Sequence, residues 1–311
     1  MATGMMIEGK WINETYKLDE KGRFMRTPTS FRRRVTSDGS SEFTPDFDRY
    51  HLYVSYACPW AHRTLIMRQL KGLQDAISIS VVSPLMLDDG WSFEPFPDII
   101  PDTINGVTYL RDIYSSADHQ YTGRVTVPIL WDKKTGTIVN NESREIIRML
   151  DHEFNGIAQN KTDFCPEELR ESVDETIEKI YQPINNGVYR AGFAQSQEAY
   201  EEAIEQLFSA LDYWDNILSQ KAYLCGEQLT EADVCLFTTL LRFDPVYYGF
   251  FKCNLRHIWD YDNLWRYLKV IYHYGGIKET CNMTHIKHHY YRSHPQINPS
   301  GIVPVGPIFN L

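Results

Sequence analysis

The feature that most constrains this chain is a β-prone run that leads into Cys58-Pro59, continues as a helical run and ends in a second β-prone run. Tyr50 to Ser55 reads as a strand. From Trp60 to about Lys71, the apolar residues Ala61, Leu65, Ile66 and Leu70 approximate one helical face, and Gly72 suits a terminator. Ile77 to Val82 reads as the next strand. Strand–helix–strand of this length predicts a βαβ unit with parallel pairing. Pro59 fits the first helical position, which puts Cys58 at or beside the N-cap. Unpaired backbone N–H groups and the positive end of the helix dipole meet a side chain there, and both favour a thiolate. Three residues on, where a C-x-x-C partner would stand, is Ala61. A mixed disulfide on Cys58 therefore needs an external thiol to resolve it. The same spacing also suits a buried structural cysteine at a strand end.

Beyond this unit, Ser83 to Val125 is rich in Pro, Asp and Gly and reads as a long irregular insertion, a kind of segment that is usually functional. Val127 to Trp131 and Thr137 to Asn140 flank Lys133-Lys134-Thr135-Gly136, a hairpin signal. An X-Pro bond such as Val127-Pro128 has access to the cis form, which would expose the preceding backbone to a peptide. Glu142-Ser143 opens a helix carrying Ile146, Ile147 and Leu150. N–H groups and a hydroxyl at that end suit a carboxylate, and Glu142 suits an ammonium group, together the zwitterionic end of an amino acid. An ordinary cap with a dipole-friendly acid fits the same two residues.

From Phe164 onward the pattern is helical. Pro166 with Glu167 and Glu168 marks a helix start. Ala199, Ala203, Ile204, Leu207, Leu211, Trp214 and Leu218 share one face of a long amphipathic helix. Thr230-x-x-Asp233 is a capping box. The expected organisation is an extended arm over 1–48, an α/β domain over 49–153, an all-α domain over 165–292 and an extended Pro- and Gly-containing tail over 293–311.

A length of 311 residues with 43% hydrophobic content suits two modest domains, each with a core. The net charge of −10 argues against a nucleic-acid or anionic-membrane partner, and Arg32-Arg33-Arg34 reads as a solvated segment. Met1 to Trp11 lacks the apolar run of a signal peptide, and no stretch has the length of a membrane span, so a cytoplasmic location is expected. Six cysteines, none paired as C-x-x-C, predict free thiols, most of them buried, in place of a disulfide framework. His273, Cys281, His285, His288, His289 and His294 cluster near the C-terminus without a recognisable zinc pattern. They read as a polar helix end, and no metal is expected.

Together these pieces resemble the glutathione transferase superfamily, a thioredoxin-like domain followed by an all-helical one. Cys58-Pro59-Trp60-Ala61 is similar to the active-site motif of its Xi class, the glutathionyl-hydroquinone reductases. Asp89-Gly90-Trp91-Ser92-Phe93, Asn185 to Phe193, Arg242 to Tyr248, His285 to Tyr291 and Asn298 to Pro304 resemble that class as well, in the same order and over almost the whole chain. The resemblance implies a thiol exchange in which glutathione is the co-substrate. Cys58 would be the nucleophile. Trp91, Arg124, the backbone of Val127, Glu142 and Ser143 would bind glutathione. Tyr189, Tyr247 and Tyr290 would line the site for the aromatic ring. With 20 tyrosines in the chain, only their places within matching motifs single these three out. The resemblance also implies a homodimer paired chiefly through the helical domains. Two other activities suit the same residues: a general deglutathionylase or dehydroascorbate reductase, and a non-catalytic glutathione-binding protein.

Overall fold

Tyr50–Val54 is buried along its whole length, as a central strand covered on both faces must be, and the first unit of the molecule is built outward from it. The computed structural model describes residues 4–14 and 17–308. In chain order the elements of this part are β1 (Gly4–Ile7), β2 (Lys10–Asn13), β3 (Tyr50–Val54), α1 (Pro59–Leu70), β4 (Ile77–Val81), α2 (Leu110–Ala117), β5 (Gly123–Arg124), β6 (Ile129–Asp132), β7 (Thr137–Asn140) and α3 (Ser143–His152). The main sheet has the order β4-β3-β6-β7. β3 and β4 are parallel, joined through α1, while β6 and β7 are antiparallel to their neighbours. This is a thioredoxin-like sheet, with α1 and α3 packed against each other.

Buried charges fasten it. Arg49 grips Asp132 with Nε and Nη2 at 2.9 and 2.8 Å, and Asp132 also accepts from Lys134 N–H and Thr135 Oγ1, which closes the β6–β7 turn. Lys71, fully buried just past α1, donates to Asp151 Oδ1 of α3 at 3.0 Å, Asn155 Oδ1 at 2.8 Å and the Thr162 carbonyl at 2.7 Å. Three acceptors suit the three protons of an ammonium group, the condition under which a buried charge is tolerated.

The second unit holds α4 (Arg170–Ile180), α5 (Gly187–Gly192), α6 (Gln197–Leu218), α7 (Glu231–Arg242) and α8 (Asp262–Tyr272). The apolar face expected on α6 is its buried face. The capping box at α7 forms, and the Asp233 carboxylate also accepts from Leu224 N–H and from Tyr267 Oη, both at 2.8 Å. α4 and α7 each run into a π-helical turn, Tyr181–Asn185 and Phe243–Tyr247. Each turn contains a proline, Pro183 and Pro245. Proline has no N–H to give to the carbonyl four residues back, so the backbone passes to five-residue bonds, Asn186 N–H to Tyr181 O and Tyr248 N–H to Phe243 O.

The division differs from the expected one in four places. The arm contains the β1–β2 hairpin, closed by Glu8 and Gly9 at positive φ of 49° and 76°, and β1 pairs onward with β5. That two-residue turn matches the twist of its strands. The insertion contains α2, whose Leu110, Ile113 and Tyr114 are buried. Pro166 precedes a 3-10 turn, Glu167–Leu169, and α4 starts only at Arg170. The last helix, α9 (Met283–Ser293), was expected in the helical domain but groups with the first unit, as part of Glu279–Ile302, while residues 17–26 group with the second. Side-chain chemistry explains α9. His285 Nε2 meets the Pro97 carbonyl at 2.6 Å, His289 Nδ1 meets that of Pro84 at 2.9 Å, and Ser293 Oγ accepts from Met86 N–H. The helix is tied to the insertion by its histidines. Residues 301–308 run without helix or strand, in keeping with the expected tail, whose last three residues lie outside the described ones. Among the described residues no helix is long and apolar enough to cross a membrane.

Candidate active site

Cys58 is the N-cap of α1, with φ −77° and ψ 121°, and Pro59 occupies the first helical position. The Cys58 carbonyl accepts the first intrahelical bond, from His62 N–H at 2.9 Å. The thiol is half-buried, and its Sγ lies 3.6 Å from the Val127 carbonyl oxygen. The Val127–Pro128 peptide is cis. A sulfur held at a helix start meets the dipole field that favours its thiolate form.

Glu142 is the N-cap of α3. Its Oε1 accepts from Arg144 N–H at 3.3 Å and its Oε2 from the Thr29 hydroxyl at 3.3 Å. Ser143 is buried beside it, and its Oγ accepts from Arg63 Nη1 at 3.4 Å. Arg63 comes from α1, the helix that Cys58 caps, and its guanidinium lies over the Trp60 ring at 4.4 Å. Trp91 is buried and stacks on His289 of α9, with ring centroids 4.8 Å apart and planes 20° apart. The neighbouring Tyr290 stacks on His294. Arg124 stands on β5 and donates to the Glu14 carbonyl at 3.1 Å.

The second unit gathers the other two tyrosines. Tyr247 lies in the π-helical turn after α7, and Tyr189 lies in α5, just after the one that follows α4. Their ring centroids are 6.0 Å apart. Tyr247 stacks on Phe251 at 5.5 Å with planes 4° apart, and Phe251 packs edge-on against Tyr189 and Phe193. Asn185, buried, donates to the Cys235 carbonyl and to Thr239 Oγ1 of α7, which ties the two tyrosine-bearing segments together.

Residues 57–153 match the family model described as glutathione S-transferase, N-terminal domain, and residues 197–269 the model for its C-terminal domain. The chain is 51% identical over 312 residues to glutathionyl-hydroquinone reductase YqjG of Escherichia coli K12, covering 98% of this chain and 95% of that protein. Its fold superposes on the Xi class transferase from Natrialba magadii with a TM-score of 0.94 at 50% identity, covering 99% of this chain and 94% of that one. It superposes on the glutathione-bound structure of Escherichia coli K-12 YqjG with a TM-score of 0.90 at 50% identity, covering 99% and 96%. The chain belongs to the Xi class of glutathione transferases.

Sequence reading had named Cys58, Glu142 and Ser143 in this Xi-class transferase as candidates but not the residues that the structure sets against them. Arg63 carries no motif signal; only the packing of α1 on α3 brings it to Ser143. Thr29 lies in what read as a featureless arm, and its hydroxyl reaches Glu142 across 113 positions. α2 did have a legible signal: Leu110, Ile113 and Tyr114 follow helical spacing.

Proposed function

We propose that this chain is a glutathionyl-hydroquinone reductase, with Cys58 as its nucleophile and glutathione as co-substrate. The observation that carries the reading is the half-buried sulfur of Cys58 at the start of α1, 3.6 Å from the Val127 carbonyl. Near-full-length similarity to a protein of that name, and to a structure with glutathione bound, supports it.

The Cys58 thiolate attacks the sulfur of an S-glutathionyl-hydroquinone in its keto tautomer. The new bond is S–S, the ring carbon–sulfur bond breaks, and its electron pair passes through the ring to the neighbouring carbonyl oxygen, which takes a proton as the ring becomes the aromatic hydroquinone. Free glutathione then attacks the mixed disulfide, releasing glutathione disulfide and restoring the Cys58 thiolate. With Ala61 at the position of a resolving cysteine, the second thiol comes from solution. Val127, Glu142, Ser143, Trp91 and Arg124 bind the glutathionyl part. Tyr189, Tyr247 and Tyr290 serve the ring, where a phenol hydroxyl suits a quinol oxygen or the proton transfer. The enzyme works in the cytoplasm as a homodimer, a state that sedimentation at micromolar concentration tests.

The decisive experiment withholds free glutathione. Protein mixed with an S-glutathionyl-hydroquinone should release one equivalent of hydroquinone and gain one glutathione on Cys58 by intact mass, and adding glutathione should then free the adduct. An adduct on Cys165, Cys225, Cys235, Cys253 or Cys281 with Cys58 left free would overturn the reading.

A further inference from the structure

The β6–β7 ladder ends at the pair Leu130–Asn140. Thr126 to Pro128 and Asn141 to Glu142 lie past that last pair, and Pro128 has no N–H with which to extend it. Something other than the sheet must hold these two stretches together. At this point stands Tyr114 of α2, fully buried. Its hydroxyl donates to the Thr126 carbonyl at 2.8 Å and accepts from Thr126 N–H at 3.2 Å and from Asn141 Nδ2 at 3.1 Å. The Thr126 hydroxyl lies 3.3 Å from it as well, so the one proton and two lone pairs of the phenol are fully used. Asn141 is fixed from its other side by the arm: its Oδ1 accepts from Phe31 N–H at 3.2 Å, and its own N–H donates to the Phe31 carbonyl at 3.1 Å. The Phe31 ring packs edge-on to Tyr114 and stacks on Tyr121.

We propose that Tyr114 is a positioning residue for the glutathionyl group: one hydroxyl sets the Thr126–Val127 backbone and the Asn141–Glu142 corner at a fixed separation. The proposal rests on the assignment of Val127 and Glu142 to glutathione. A ligand that spans both stretches binds well only if their separation is fixed beforehand, because otherwise binding must order them. Burial also pushes the phenol above its usual range, so the group keeps the proton that it donates to Thr126.

Tyr114→Phe removes the hydroxyl and keeps the ring against Phe31 and Tyr121. The KM for S-glutathionyl-hydroquinone should rise about tenfold, with kcat changed by less than about twofold. In a Cys58→Ser background, calorimetric titration should show the Kd for glutathione rising by the same factor. Tyr50→Phe is the control: that buried hydroxyl donates to the Thr44 carbonyl at 2.7 Å, away from this corner. It should lower the Tm and leave both KM and Kd in place. Should Tyr114→Phe fail to fold, Asn141→Ala removes the donor on the other side and must give the same split. Unchanged KM and Kd in Tyr114→Phe, or equal shifts in Tyr50→Phe, overturn the proposal. Absent reductase turnover in a wild type that binds glutathione sinks the reductase reading alone, since the Kd comparison still judges Tyr114. A wild type that binds no glutathione sinks both.

Discussion

Around Thr126 and Asn141, the first unit is held by hydrogen bonds that converge on the Tyr114 hydroxyl. Around Tyr189 and Tyr247, the second unit is held by stacked and edge-on rings, with π-helical turns that release the backbone where each proline sits. The first arrangement presents peptide groups at fixed positions and suits a ligand read through its own backbone. The second presents flat apolar faces with hydroxyls at their edges and suits an aromatic ring. Directional bonds confer geometric selectivity, and ring packing confers affinity with more tolerance of shape. The contrast predicts a protein strict about its glutathionyl half and lenient about its quinol half.

The largest expected effect tests which region carries the bond-breaking step. Cys58→Ala should reduce turnover by on the order of a thousandfold or more, whatever the quinol, measured as hydroquinone release. Near-normal turnover would move the chemistry off Cys58. Next comes the ion pair under the first unit's helices. Lys71→Ala takes the buried ammonium away from Asp151 and should cost roughly 3–5 kcal/mol in denaturant unfolding. A loss below about 1 kcal/mol would show that the other groups around Asp151, among them His152 Nε2 at 3.4 Å, hold its carboxylate without Lys71.

A third effect concerns acid. His51 of β3 is fully buried between Ser78 Oγ at 2.8 Å and Ser80 Oγ at 2.9 Å, and burial pushes its imidazole down to about 4. An unfolded histidine titrates near 6.5. Between about pH 6.5 and 4 the unfolded chain therefore binds a proton that the folded one excludes, and stability falls as pH falls, by roughly 3 kcal/mol at most. His51→Gln should flatten that part of the profile; an unchanged slope would assign it to other groups. The smallest effect sharpens the contrast directly. Tyr247→Phe should slow reduction of glutathionyl-hydroquinone by about 1–3 kcal/mol of barrier, tenfold to a hundredfold, and leave exchange with a simple mixed disulfide nearly unchanged. Equal losses on both substrates would make Tyr247 a packing residue.

Residues 50 to 82 were legible because they obey local rules. β-prone runs, a Pro at the first helical position and a Gly terminator each act over a few residues, and Cys58 inherits its place from them. The capping box at Thr230 and Asp233 and the buried face of α6 were legible for the same reason. The β1–β2 hairpin escaped notice although Glu8-Gly9 marks its turn, because short strands with mixed exposure carry little periodicity.

The amino-acid sequence alone determined the order β3-α1-β4 and β6-β7-α3, the helix-start cysteine without a second cysteine three residues on, and the class that these motifs resemble. Tertiary structure decided what stands behind the candidate site residues. Arg63 reaches Ser143, Thr29 reaches Glu142, Tyr114 joins Thr126 to Asn141, and α9 joins the first unit through bonds to Pro84 and Pro97. Each of those contacts except Tyr114–Thr126 links residues 27 or more positions apart. Spacing along a chain reports helical and strand periodicity over a few turns. Which distant donor finds which acceptor depends on how whole elements pack, because a buried polar group takes whichever partner the packing brings within hydrogen-bond reach.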